Sequence, residues 1–266
     1  MTPPLLKAAA LSDTGNVRQY NEDRLRLVPE LGIVALADGM GGHRAGEIAS
    51  TLATDVVVDV LRRHVAEAQT TTCQHALAAL EKSIIQANQE VRKAAVSDRH
   101  RQGMGTTLVA ALFHEGGVAI GHVGDSRAYR LRNGRLELLT RDDSLIGLEL
   151  AAGLIAARDV VDSHNRSLVT QALGVDEALK PQLRSVDTLP GDVYLVCSDG
   201  LNDLVGHDDM ELVVHSLAAN LDLAARTLIE TAKDNGGFDN VSVILVAVGA
   251  QRRRFSRFID FVKRFA

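Results

Sequence analysis

Four aspartates stand where apolar runs begin or end. Asp38 follows "IVALA" and precedes Gly39, and Asp199 follows "VYLVCS" and precedes Gly200. Asp239 comes just before Asn240 and the run "VSVILVAV", while Asp125 lies between "AIGHVG" and "SRAYRL". Glu22 and Asp23 make a fifth acidic position, immediately before "RLRLV". Carboxylates at the ends of buried strands are costly unless something pairs with them. Several that converge repel one another, and each raises its neighbours' pKa unless cations neutralise the cluster. Hard oxygen donors suit Mg²⁺ or Mn²⁺, and Mg²⁺ keeps several waters. Glycine after aspartate lets a backbone carbonyl approach an ion, since no Cβ intervenes. A single Asp-Gly pair is usually only a turn. Repetition at several strand ends points instead to a cation site. Zinc is disfavoured, because no His or Cys cluster has ligand spacing.

The elements that must position these acids follow from periodicity. Strands are expected at 4–11, 23–28 and 31–37. Helical spacing of Ile48, Leu52, Val56, Val60 and Leu61 predicts a helix over 44–65. A second is predicted over 74–95, with Leu77, Leu80, Ile84, Ala87 and Val91 on one face. From Thr107 to Thr140 the period shortens, and four strands are expected between breaks at Glu115-Gly116-Gly117, Gly124-Asp125 and Asn133-Gly134. The Asn-Gly pair is a type I′ hairpin signal. Two further buried strands, "DVYLVCSDG" and "NVSVILVAVG", enclose helices at 208–218 and 221–234. Strands and helices come in blocks, which predicts an α+β fold with antiparallel sheets rather than a doubly wound parallel one. The expected arrangement is a central sandwich with helices on both faces. One domain over 1–250 is expected, with an inserted lobe at about 144–170 and a separate tail at 251–266.

Composition narrows the function. The 266 residues are 46% hydrophobic, carry a net charge of −5 and contain two Cys, Cys73 and Cys197, with no CxxC pair. That argues against a disulfide framework and fits a cytoplasmic setting. The N-terminal "MTPPLLKAAALSD" has too short an apolar run for a signal peptide. Charge is uneven. The segment from Arg252 to Ala266 carries +5, leaving −10 on the rest, which excludes a general nucleic-acid-binding role.

The ordered segments "SDTGNVRQYNED", "ADGMGGHRAGEIAS", "GMGTTL", "GHVGDSRAYRL", "LTRDDS", "QALG", "CSDGL" and "DNVSVILV" closely resemble the metal-dependent protein phosphatase family, type 2C, bacterial branch. The resemblance covers about residues 5–248. It implies a β-sandwich with helices on both faces and two Mn²⁺ or Mg²⁺ ions at its edge, with a weaker third. By this resemblance Asp38 bridges both ions, the Gly39 carbonyl binds one, and Asp23, Asp199 and Asp239 complete the ligands. Glu22 holds an ion-bound water, and Asp125 with Asp199 supports the third ion. The implied reaction is direct in-line attack of an activated water on the phosphorus of phosphoserine or phosphothreonine, with no phosphoenzyme. Arg18 grips the phosphate through its planar fork, unless "NEDR" supplies it with a surface ion pair. His43 is the candidate proton donor to the leaving alkoxide, against a role in ordering its loop. His122 is expected in the core or behind the site. Gly105, Thr106 and Thr107 are expected to pack near the ions.

The lobe at 144–170 matches the family's flap, which influences substrate choice. Asp143 departs from the pattern, since many bacterial members carry His there. Asp142 reads as structural and Cys197 as a small core residue. In the tail, Phe255, Phe258, Ile259, Val262 and Phe265 share a helical face opposite most of the cations. That is the signature of a membrane-surface or partner contact, or of a helix docked on its own domain. The expected partners are phosphorylated proteins and a cognate Ser/Thr kinase, the chain itself acting as a monomer. Two other readings share the fold: a non-catalytic phospho-binding relative, which intact acids argue against, and a small-molecule phosphomonoesterase.

Overall fold

The computed structural model describes residues 5–41, 45–68, 72–144 and 169–249. Twelve strands among them form two five-stranded antiparallel sheets and one two-stranded ribbon. The strands are β1 (Leu6–Asp13), β2 (Arg24–Val28), β3 (Ile33–Ala37), β4 (Gly39–Met40), β5 (Gly105–Thr106) and β6 (Leu108–His114). They continue with β7 (Gly117–Val123), β8 (Arg127–Arg132), β9 (Arg135–Leu138), β10 (Gln182–Asp187), β11 (Val193–Cys197) and β12 (Val241–Val248). One sheet has the order β1-β12-β11-β8-β9 and the other β10-β7-β6-β3-β2. The helices are α1 (Ala45–Glu67), α2 (Cys73–Ser97), the single turn α3 (Asp199–Asn202), α4 (His207–Ser216) and α5 (Leu221–Asp234).

Strand sequence explains the layering. Every residue of β3 is buried, because Ile33, Ala35 and Ala37 face α1 and α2 while Val34 and Leu36 face the other sheet. In β12, Val241, Val243 and Leu245 likewise pack toward α4 and α5, and Ile244, Val246 and Val248 point between the sheets. A strand covered on both faces reads as a continuous apolar run rather than an alternating one. The result is the expected α-β-β-α sandwich. At the hairpin between β8 and β9, Asn133 and Gly134 both have positive φ, 54° and 76°, as a type I′ turn requires.

Two expectations shift. The face of α1 that packs deepest is Ala45, Ala49, Ala53, Val57 and Leu61, with Ile48, Leu52 and Val56 only half-buried beside it. Small residues let this helix lie close to β3, so the larger side chains flank the contact. Strand β10 has no counterpart in the expected elements. "QLRSVD" is a sheet edge with only half-buried or exposed residues, so its apolar signal is weak. Most of the expected flap and the whole of the tail lie outside the described residues. Ser144 and Val169, which flank the former, pair in an antiparallel bridge.

Candidate active site

Both sheets contribute acids to one end of the sandwich. Asp38 leaves β3 and Asp23 enters β2 in one sheet. Asp199 leaves β11, Asp125 precedes β8 and Asp239 precedes β12 in the other. Arg18, Glu22, Asp38, Gly39, Asp125, Asp199 and Asp239 line a single cleft of about 600 Å³. Asp23 lies behind it, buried, and near enough to Asp199 and Asp239 for their charges to act on it. The structure thus brings together every expected site residue except His43, which falls outside the described residues.

Hydrogen bonds fix the segments that carry several of these acids. The Asp38 N–H donates to Thr107 Oγ1 at 3.0 Å, and the Asp38 carbonyl accepts from Thr107 N at 2.8 Å and Thr106 Oγ1 at 2.8 Å. Thr107 Oγ1 lies 2.7 Å from Ser126 Oγ, next to Asp125. Ser198 Oγ donates to Asp23 Oδ2 at 2.8 Å while accepting from the Ser242 N–H at 3.0 Å. The Asn240 amide pins the β1–β2 loop at three points. Its Oδ1 accepts from Glu22 N at 2.8 Å, and its Nδ2 donates to the carbonyls of Thr14 at 3.0 Å and Tyr20 at 2.9 Å.

The glycines beside the acids serve close backbone packing. A Cβ on Gly39 would sit 2.2 Å from the Gly46 carbonyl at the start of α1, and one on Gly200 would sit 2.1 Å from the Asn240 carbonyl. Real Cβ atoms do not approach so near. The Asp-Gly pairs therefore fix the turns that carry the aspartates by allowing backbone to lie on backbone.

The electrostatics show what the cluster lacks. Burial pushes Asp23 up to about 7, and the charges of Asp199 and Asp239 push the same way. Burial, then Asp199, brings Asp125 to about 7, and burial brings Asp199 to about 6. Asp38 lies well above the usual carboxylate range, through burial and then the charges of Asp23 and Asp199, and it shares a hydrogen bond with Asp199. Asp23 Oδ1 and Asp199 Oδ1 are buried without a hydrogen-bond partner. Buried polar atoms are normally satisfied, so these oxygens mark places where a cation fits. Among the described residues, no three acidic, His or Cys side chains close into a ready-made single-ion cage. The carboxylates ring the cleft instead. Such a spread suits hydrated hard cations, which take only one or two carboxylates each.

Arg18 stands at the mouth. Its Nη2 donates to Asp239 Oδ2 at 2.6 Å, with the two side chains 55% and 38% exposed. The ion pair considered for it therefore exists, but with Asp239 rather than with Glu22 or Asp23. Hydrogen bonding to Asp239, and then that carboxylate's charge, raise the Arg18 pKa. His122 is buried, with neither ring nitrogen hydrogen-bonded, and is not among the residues lining this cleft. Asp142 forms a two-pronged pair with Arg127, at 2.9 Å and 2.7 Å. Asp143 accepts from Gly124 N at 3.2 Å and Gln182 Nε2 at 2.5 Å. Both acids are thus anchors at the root of the 144–170 segment.

Sequence reasoning missed Ser198, Ser126 and Asn240. Their partners lie far away in the chain, so no local spacing marks them. The polar residue beside each strand-end acid is the signal that was available.

The family model described as "Protein phosphatase 2C" matches residues 16–230. The serine/threonine phosphatase stp of Listeria innocua is 36% identical over 238 residues, 88% of this chain and 93% of that protein. The serine/threonine protein phosphatase PstP of Mycobacterium tuberculosis is 37% identical over 246 residues, 92% of this chain and 45% of that longer protein. Among solved structures, the catalytic domain of PstP in complex with two manganese ions superposes with a TM-score of 0.80 at 34% identity, covering 92% of this chain and 99% of that one.

Proposed function

The chain belongs to the protein phosphatase 2C family, and from that membership we propose that it is a metal-dependent phosphatase of phosphoserine and phosphothreonine in proteins. The observation that carries the reading is the meeting of strand-end acids from both sheets in one cleft. Two of their buried oxygens, Asp23 Oδ1 and Asp199 Oδ1, lack partners, and an arginine stands at the mouth.

Asp23, Asp38, Asp199, Asp239 and the Gly39 carbonyl would hold two Mn²⁺ or Mg²⁺ ions, with Glu22 acting through water and Asp125 and Asp199 offering a weaker third place. Such ions supply, when bound, the acidity that makes water a nucleophile and the positive charge that offsets the phosphoryl oxygens. The chain's own groups do the rest. Arg18 is exposed enough to exchange Asp239 for two phosphate oxygens, and its fork then orients the phosphoryl group. Thr107 and Ser126 hold the backbone of Asp38 and the start of β8 in fixed relation, so the acids need no rearrangement as charge develops. His43 is assigned proton donation to the leaving serine or threonine oxygen.

The substrates are phosphorylated proteins, and the counterpart is a Ser/Thr kinase whose marks this enzyme removes. The chain works as a monomer in the cytoplasm. Its basic segment 252–266 touches a membrane surface or a partner. Among the described residues no helix is long and apolar enough to cross a membrane.

The deciding experiment is hydrolysis of a phosphothreonine peptide with Mn²⁺, with Mg²⁺ and with EDTA, beside Asp199→Asn. Turnover that needs metal and collapses in the variant is expected. A folded protein that binds Mn²⁺ yet turns over no phosphopeptide would refute it.

A further inference from the structure

Aromatic side chains are scarce here: three Tyr, six Phe and no Trp. Five lie among the described residues. Phe113, Tyr129 and Tyr194 are buried in the sandwich, but Tyr20 and Phe238 are 51% and 63% exposed. Both exposed rings sit on the loops that frame Arg18, namely β1–β2 and α5–β12. Val17, the residue before Arg18, is 62% exposed. Single exposed apolar residues need no explanation. Three on the two loops that meet beside Arg18 are a different matter. Tyr20 lines the cleft with Arg18, while Val17 and Phe238 stand just outside its lining, each next in sequence to a lining residue, Arg18 or Asp239.

The two loops are rigidly laced. Asn16 N donates to the Gly237 carbonyl at 2.8 Å, and Asn16 Nδ2 reaches the carbonyls of Lys233 at 2.8 Å and Gly236 at 3.2 Å. Gly15 lies so close to Asp239 that a Cβ would fall 2.2 Å from its carbonyl. Gly236, at φ 125°, leaves room for the Phe238 ring, which a Cβ there would meet at 2.5 Å. The ring is therefore seated from below and open above. Apolar groups held in place before binding lose little entropy when covered.

We propose that Val17, Tyr20 and Phe238 form a subsite for an aliphatic or aromatic side chain flanking the phosphorylated residue of a protein substrate. The proposal rests on the phosphatase reading. A phosphate gripped by Arg18 lays its neighbouring residues over these two loops. An apolar neighbour is the one whose burial the rim rewards.

Phosphothreonine peptides that differ only in the flanking residues, carrying Leu or Phe, Ser, Lys or Asp on each side in turn, test it with Mn²⁺ present. The Leu or Phe peptide should exceed the Ser peptide in kcat/KM by about tenfold, mainly through KM. Phe238→Ser and Val17→Ser should each shrink that ratio, and the double variant should bring it close to one. Equal rates for Leu and Ser peptides in the parent protein would overturn the subsite. So would a ratio that survives in the double variant, or a preference for Lys over Leu, which would make the acidic body the selector. Fluorescence anisotropy of the same labelled peptides reads the rim apart from turnover. Binding that favours Leu without hydrolysis would sink the phosphatase reading and keep the subsite. Hydrolysis with equal binding and equal rates would do the reverse.

Discussion

Thr107 Oγ1 and Ser126 Oγ lie 2.7 Å apart, joining the backbone of Asp38 in one sheet to the start of β8 in the other. Both hydroxyls are buried, and each is more than a spacer. Thr107 also accepts from Asp38 N, so one side chain fixes the turn carrying the central acid.

Removing that side chain should cost stability and activity together. Thr107→Val leaves the Asp38 N–H and the Ser126 hydroxyl without a partner at almost unchanged volume. We expect a loss of about 1–3 kcal/mol in urea unfolding and a fall in phosphopeptide kcat of about tenfold. Thr107→Ser should restore most of both. Parent-like kinetics in Thr107→Val would show that the link does not matter.

The acid cluster sets a pH dependence opposite to that of ordinary ion-paired carboxylates. Burial holds Asp23 and Asp125 up at about 7 and Asp199 at about 6. Unfolded aspartate titrates near ~3.9. Between these values the folded chain binds protons that the unfolded chain has lost, so stability falls as pH rises. A shift of this size corresponds to about 4 kcal/mol for one group, and the coupled acids share that effect rather than multiply it. The metal-free protein should therefore show a lower urea midpoint at pH 8 than at pH 5. Saturating Mn²⁺ should flatten the slope. A midpoint that rises with pH in EDTA would contradict the burial of these groups.

Gly39→Ala should be severe despite its small size. The added Cβ meets the Gly46 carbonyl at 2.2 Å and the Glu22 carbonyl at 2.8 Å, both backbone atoms that cannot rotate away. We expect about 3 kcal/mol of destabilisation, read by chemical unfolding, and weaker Mn²⁺ binding by calorimetry. Gly103→Ala is the comparison, since nothing lies within 4 Å of its Cβ position and its positive φ alone costs about 1 kcal/mol or somewhat more.

Arg18→Lys should separate charge from shape. Lysine keeps the positive charge but loses the fork. Phosphopeptide KM should rise about tenfold, with a smaller change in kcat. Arg18→Ala should be worse in both. Equal parameters for parent and Lys variant would mean that Arg18 serves only Asp239.

The two cysteines should differ sharply toward thiol reagents. Burial pushes the Cys197 thiol up to about 12, whereas Cys73 is exposed. Thiolate is the reactive form. The native protein should release one equivalent of thionitrobenzoate from Ellman's reagent and the denatured protein two.

Much of this was legible in the residues because burial on both faces leaves an unmistakable run. The strands "IVALA" and "VSVILVAV", and the acids at their ends, stood out for that reason. Asn133-Gly134 was legible because the turn geometry admits few residues. Strand β10 was not, since an edge strand needs no apolar alternation and takes its place from pairing with β7. Nor was the bond from Ser198 to Asp23, whose partners are 175 residues apart. The packing role of Gly39 was hidden in the same way, because its neighbour Gly46 belongs to a helix whose approach no local pattern specifies. Long-range hydrogen bonds and backbone contacts complete the site, and they appear only once the two sheets are face to face.

The strand-end acids span the chain from Asp23 to Asp239 and divide between two sheets. No contiguous fragment that omits either sheet can carry a working centre, so the enzyme cannot be active while half made. During synthesis, activity must await the emergence of β12, close to the end of the described chain. Proteolytic clipping anywhere that frees one sheet from the other silences the molecule at once. The centre thus reports on the integrity of the whole fold, and cation binding in solution is a direct assay for a fully assembled chain.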